Sequence, residues 1–205
     1  MRLPLPLALL ATVLACAPRD DRAPAADPTP TPAASVAAAP APVPTVEQLV
    51  DSSLRAFRDG VAPVTALDGG AESRDALVSR YAEAALARDT AALRALLVTR
   101  AEFAWLYFPE SRLARPPYGI DPTFLWLQVG SNSTRDLPKA MTALAGGRYA
   151  AHLCQDPATA EGANRLHEQC RVVVTRGARA DTLSLFGSIL ERGGRFKFLS
   201  YANRL

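Results

Sequence analysis

The segment RDALVSRYAEAALARDTAALRALL, residues 74–97, reads as two helices joined by a tight break. Ser73 precedes it as an N-cap and Asp75 sits in its first turn. Leu77, Val78, Tyr81, Ala82, Ala85 and Leu86 recur at helical spacing and mark one face. Arg88-Asp89-Thr90 interrupts that period. Asp89 is a good N-cap for a second helix carrying Leu93, Leu96 and Leu97.

Upstream, Thr45 and Gln48 have the spacing of a capping box. Val46, Leu49, Val50, Ser53, Leu54 and Phe57 follow as a helical stripe, with Gly60 as its stop. Residues 61–67 read as an edge strand or an extended crossing, because Pro63 rules out a central strand. Asp68-Gly69-Gly70 is a turn.

Downstream, 101–147 holds Phe103, Trp105, Tyr107, Phe108, Tyr118, Phe124 and Trp126, half of the aromatic residues in the chain. Asp121-Pro122 reads as an N-cap with proline at the first helical position, opening a short helix through Leu127. Asp136-Leu137-Pro138 opens a second one through Leu144, ended by Gly146-Gly147. Strand-like segments follow at 148–154, 171–176, 182–190 and 195–201. The stretch 191–195, with its paired glycines, reads as a hairpin turn between the last two.

The helix pair 74–97, with Tyr81-Ala82, Arg88-Asp89, Leu93 and Leu96, resembles the opening helices of SnoaL-like proteins, in the superfamily named after nuclear transport factor two. The resemblance implies an α+β fold: a cone-shaped, curved antiparallel sheet packed against N-terminal helices. It matches in detail over the helix pair, and in order and spacing over about 130 residues. The 101–147 segment is longer than the family uses there, and reads as an aromatic, helical insert covering the open end of the cone.

The first 45 residues have a different character. Arg2 precedes twelve largely apolar residues, 3–14, too few for a bilayer-spanning helix. Val13-Leu14-Ala15-Cys16 resembles the lipobox of bacterial lipoproteins. That implies cleavage before Cys16 and lipidation there, and Ala17 after it favours the outer membrane. Cleavage by the ordinary signal peptidase after Ala15 is the competing route. Residues 17–44 are Ala, Pro and Thr with a few charges, and lack the apolar surface to offset ordering entropy. Extended, they reach up to roughly 90 Å. The expected organisation is a signal peptide at 1–15, a disordered linker at 16–44 and one domain at 45–205.

The net charge is only +3, the arginines are spread among carboxylates, and Lys139 and Lys197 are the only lysines. No basic run with interleaved aromatics speaks for nucleic acid. No P-loop, GxGxxG or Ser-His-Asp set appears, and no cofactor is implied. With Cys16 lipidated, Cys154 and Cys170 are expected to pair, the polar stretch 156–164 forming the turn between them. His152, Cys154, His167 and Cys170 could instead form a zinc set. That arrangement conflicts with the hairpin, which separates the two histidines, so no metal site is expected.

By the resemblance, ligand-binding or catalytic members line the cavity with aromatics around a carboxylate or histidine. The candidates here are Glu102, Asp121, His152 and Glu161. Glu102 beside Phe103 and Trp105 is a possible desolvated general base, or else a solvated carboxylate at a helix end. His152 is a possible base or a satisfied strand histidine, and His167 is expected to be exposed near the turn. Trp105, Tyr118 and Trp126 are the candidate ligand platform, with core or lid packing as the alternative. Three functions remain. The first is a membrane-anchored, non-enzymatic domain binding a small apolar ligand or acting as a scaffold. The others are an isomerase- or cyclase-type enzyme and a structural partner of an envelope protein.

Overall fold

The computed structural model describes residues 42–202. The lipobox, Cys16 and nearly all of the linker lie outside the described residues. The described part mixes helices and antiparallel sheet, as an α+β fold should.

Helix α1 (Val46–Arg58) opens on the expected capping box: the Gln48 amide donates to Thr45 Oγ1 and the Thr45 amide donates to Gln48 Oε1. Its buried residues are Val50, Leu54 and Phe57, while Val46 and Leu49 are exposed. The apolar stripe is therefore narrower than the sequence suggests. Residues 61–67 form no strand; they cross the surface of the domain, and the Val61 carbonyl accepts from Trp105 Nε1. The 68–70 turn leads into Ala71, whose amide and carbonyl both bond to Phe196. Gly70 has φ +69°, and a Cβ there would lie 2.5 Å from the Phe196 carbonyl oxygen, so the turn requires glycine.

Helices α2 (Arg74–Leu86) and α3 (Thr90–Ala95) form as read. Ser73 Oγ accepts from the Ala76 amide, and Asp89 Oδ1 accepts from the amides of Ala91 and Ala92. Leu86 is the exception to the predicted face, pointing to solvent. A short turn, α4 (Arg100–Glu102), continues as a π-helical turn over Phe103–Tyr107.

The insert departs most from expectation. Asp121 caps a helix, but the helix is α5 (Pro122–Leu144), a single 23-residue element with Pro138 inside it. Pro138 has no amide hydrogen and breaks one bond of the ladder. Burial of Leu125, Val129, Ser133, Ala140 and Leu144 along one side carries the helix through that break. Nor is the insert merely a cover. Phe103, Ala104, Leu106, Tyr107 and Phe108 are buried, and with Phe57, Leu125 and Val129 they form one of two hydrophobic clusters. The other is centred on the ring cluster of Tyr81, Phe186, Phe198 and Tyr201.

The strands are β1 (Arg148–Leu153), β2 (Thr159–Glu161), β3 (Asn164–His167), β4 (Arg171–Arg176), β5 (Arg179–Leu183), β6 (Ile189–Arg192) and β7 (Arg195–Phe198). Hydrogen bonding divides them into two antiparallel sheets, β1-β4-β5 and β2-β3-β6-β7, where the resemblance implies one. The reading of 182–190 as one strand fails at 184–188, where the chain leaves the first sheet for the second. The β6–β7 hairpin turns at Gly193-Gly194 with Arg192 opposite Arg195, as expected.

Leu153 pairs with Arg171, which sets Cys154 against Cys170, and the two form the predicted disulfide. The loop they close is more than a turn. It holds β2 and β3, and β3 pairs with β6 as an interior strand of the second sheet. His167, on β3, is therefore buried rather than exposed. Among the described residues, no helix is long and apolar enough to cross a membrane.

Candidate ligand-binding groove

The two residues read as possible general bases occupy different surroundings. Glu102 is 1% exposed, so it is not the solvated helix-end carboxylate that was the alternative. Its Oε1 accepts from the Asp68 amide at 2.7 Å and its Oε2 from the Thr99 amide at 2.7 Å. Lys197 Nζ donates to both oxygens at 2.9 Å. Four hydrogen bonds from three groups on two oxygens leave no lone pair positioned to take a proton from a substrate, so Glu102 pins α4 to β7.

His152 lies on β1, where Nδ1 is 3.1 Å from the Tyr149 hydroxyl, which donates to Asp75 Oδ1 at 2.6 Å. With the phenol proton given to Asp75, the Tyr149 oxygen is free to accept from His152 Nδ1–H. Burial lowers the His152 pKa and Arg74 adds to this, against a smaller opposing pull from Asp75. His167 makes a parallel set of contacts: Arg74 Nη1 donates to Nδ1 at 3.1 Å, and Nε2 donates to Glu191 Oε2 at 2.7 Å. Both histidines are thus held by partners of their own. The two cysteines are joined in the disulfide and offer no thiolate. Among the described residues, no group of three or more His, Cys, Asp or Glu side chains converges to hold a metal ion.

The remaining acidic candidates also separate. Asp121 is the α5 cap; burial pushes its pKa up, but bonds from the Phe124 amide, Ser53 and Thr123 bring it below the ordinary value. Glu161, at the end of β2, is 7% exposed, and neither carboxylate oxygen has a hydrogen-bond partner among the described residues. Arg112 Nε, 3.7 Å from Oε1, is an ion-pair neighbour too distant for a bond. Burial, with a smaller contribution from Glu161, pushes the Tyr107 hydroxyl up to about 12.

The three candidate platform aromatics are not brought together. Trp105 is committed to the fold: its Nε1 bonds Val61, and the Arg58 guanidinium stacks 4.0 Å from its ring centroid. Tyr118 is 58% exposed. Trp126 packs on Phe103 and lines a groove of about 440 Å³ between α3 and α5. One wall is the α5 stripe of Trp126, Val129, Gly130, Ser133, Leu137 and Met141. Their i, i+3, i+4 spacing keeps one face towards the groove for about 22 Å. Leu97, Val98, Leu199 and Tyr201 form the rest of the apolar surface.

Among the described residues, no carboxylate or histidine lines this groove. Three larger clefts, of about 450, 490 and 590 Å³, have charged walls, with Arg80, Glu83 and Asp89 in the first, Arg135, Asp136 and Lys139 in the second and Arg112, Glu168 and Arg171 in the third. An apolar groove with a few polar groups is the usual form of a small-molecule site. Sequence reasoning found Trp126 but missed Val129, Leu137 and Met141 as a lining. The signal was present as a four-turn apolar period, hidden by the division of α5 at Asp136-Leu137-Pro138.

Comparison with protein-family models, with curated proteins and with solved structures finds no match to this chain.

Proposed function

We propose that the chain is a lipid-anchored protein of the cell envelope whose domain binds a small apolar ligand in the α3–α5 groove and is not an enzyme. The observation that carries this reading is the groove itself, a long apolar wall headed by Trp126 with no carboxylate or histidine among the described residues of its lining. The occupied state of Glu102 supports the non-enzymatic part. The anchor rests on the lipobox and its position behind the apolar segment, and the outer membrane on Ala17. We take the domain as a SnoaL-like cone in element order: N-terminal helices, a long helix, then antiparallel strands.

Titration of the full chain with a neutral hydrophobic fluorophore tests the binding reading. Saturable binding that is abolished by Leu137→Arg, a change at a partly buried position in the wall of the groove, is the expected result. Binding unchanged by Leu137→Arg overturns the assignment. Mass spectrometry of membrane-extracted protein should find a diacylglyceryl thioether on an N-terminal Cys16. An unmodified N-terminus generated by cleavage after Ala15 removes the anchor.

A second reading, a structural partner in an envelope complex, draws on Tyr118, Phe124 and Leu127, which are 58%, 62% and 64% exposed. A photo-crosslinker at position 127 that captures one discrete envelope protein in intact cells supports it; a lipid-only or empty crosslink pattern sinks it.

A further inference from the structure

Among the described residues that line the groove, Arg94 is the single charged side chain. Arg94 is exposed, and its guanidinium has no hydrogen-bond or ion-pair partner among the described residues. Thr90 lies four positions before it on α3, and both line the groove, so a hydroxyl and a guanidinium share one helix face. On the opposite wall the Thr134 hydroxyl donates to the Gly130 carbonyl. Its oxygen keeps acceptor capacity, and its proton is already used. Arg94 and Thr90 thus offer donors from one face of α3, set beside an apolar wall, with no acidic group among the described lining residues to balance the charge. A neutral apolar ligand would leave that charge unused, and a cationic one would be repelled by it.

We propose that the groove takes a monoanionic amphiphile, an alkyl carboxylate, with its chain along the α5 stripe and its carboxylate on Arg94, assisted by Thr90. This rests on the reading of the groove as a ligand site. Guanidinium and carboxylate match in shape and can form two parallel bonds, which favours a carboxylate head over an alcohol. The pair sits at an exposed rim, so its contribution is modest, and most of the affinity comes from methylenes removed from water.

The test is calorimetric titration of the full chain, carrying Cys16→Ser so that no detergent is needed, with octanoate, decanoate, decanol and decylammonium below their micellar concentrations. Decanoate is expected to bind roughly fifteenfold more tightly than octanoate, for two more buried methylenes. It should also bind about fivefold more tightly than decanol, with decylammonium the weakest. Arg94→Gln should bring decanoate down to decanol and leave decanol unchanged. Equal affinity for decanoate and decanol in the unsubstituted groove overturns the role of Arg94 while the groove stands. Absence of binding by all four overturns the groove as well.

Discussion

Lys197 Nζ lies 2.9 Å from both carboxylate oxygens of Glu102, and the two side chains are 3% and 2% exposed. The pair joins β7 to the turn that opens the insert, across 95 positions of sequence. Removing one partner leaves the other buried without its counter-charge. Lys197→Met is expected to cost about 3–5 kcal/mol in chemical denaturation. The double variant Glu102→Gln/Lys197→Met should lose less than the sum of the two single losses, because each single loss includes the penalty on the stranded partner. Additive losses would show that the two groups do not act as a pair.

The disulfide closes a loop that contains both β2 and β3, so it restrains an interior strand of the second sheet. Cys154→Ser/Cys170→Ser is expected to lower stability by about 3 kcal/mol, on the chain-entropy account of a loop this size. Peptide mapping without reductant should recover a 154–170 crosslink from the native chain. Two free thiols, or a double variant as stable as the parent, would contradict the structure.

Burial, assisted by Arg74, lowers the His152 pKa. The unfolded chain then takes up a proton more readily than the folded one. The contribution to stability is complete above the ordinary histidine value of about 6.5 and is lost as pH falls from there through the lowered folded value. Between pH 7.5 and pH 5 the native chain should lose more stability than His152→Gln. Equal losses would mean that the ring is not held in its neutral form.

Glu161 is buried with two carboxylate oxygens that make no hydrogen bond among the described residues, and its ion-pair neighbour, Arg112, is half exposed. A buried group in that state destabilises the fold, and an apolar side chain of similar length removes the penalty. Glu161→Met is expected to raise stability by about 1–3 kcal/mol, read as a higher denaturation midpoint. A lower midpoint would indicate a partner for Glu161 that geometry does not reveal.

Much of the architecture was legible because it depends on local rules. The Thr45, Ser73, Asp89 and Asp121 caps each satisfy amides within three residues, and all four appear where sequence placed them. The glycine pair at 193–194 fixed the last hairpin through its backbone freedom alone. Cys154 and Cys170 were legible as a pair from their number and from the polar turn between them. The candidate site was less legible. Trp126 was identified, but the groove around it is built from α3, α5 and residues after β7, which no local pattern connects.

The sequence by itself determined where α1, α2, α3 and α5 begin, which cysteines pair and where a lipid is expected to be attached, since each depends on residues close together in the chain or on the chemistry of one side chain. Only the tertiary structure decided that α5 runs unbroken through Pro138, because burial along its full length outweighs one missing hydrogen bond. It also decided that the stretch between the cysteines, read as a turn at 156–164, supplies β2 and β3, because β6 offers a free edge for β3 to pair with. Last, it decided the role of Glu102. A carboxylate next to aromatic residues is a possible base or a solvated end until a distant lysine is folded against it, and Lys197 makes it a buried structural pair.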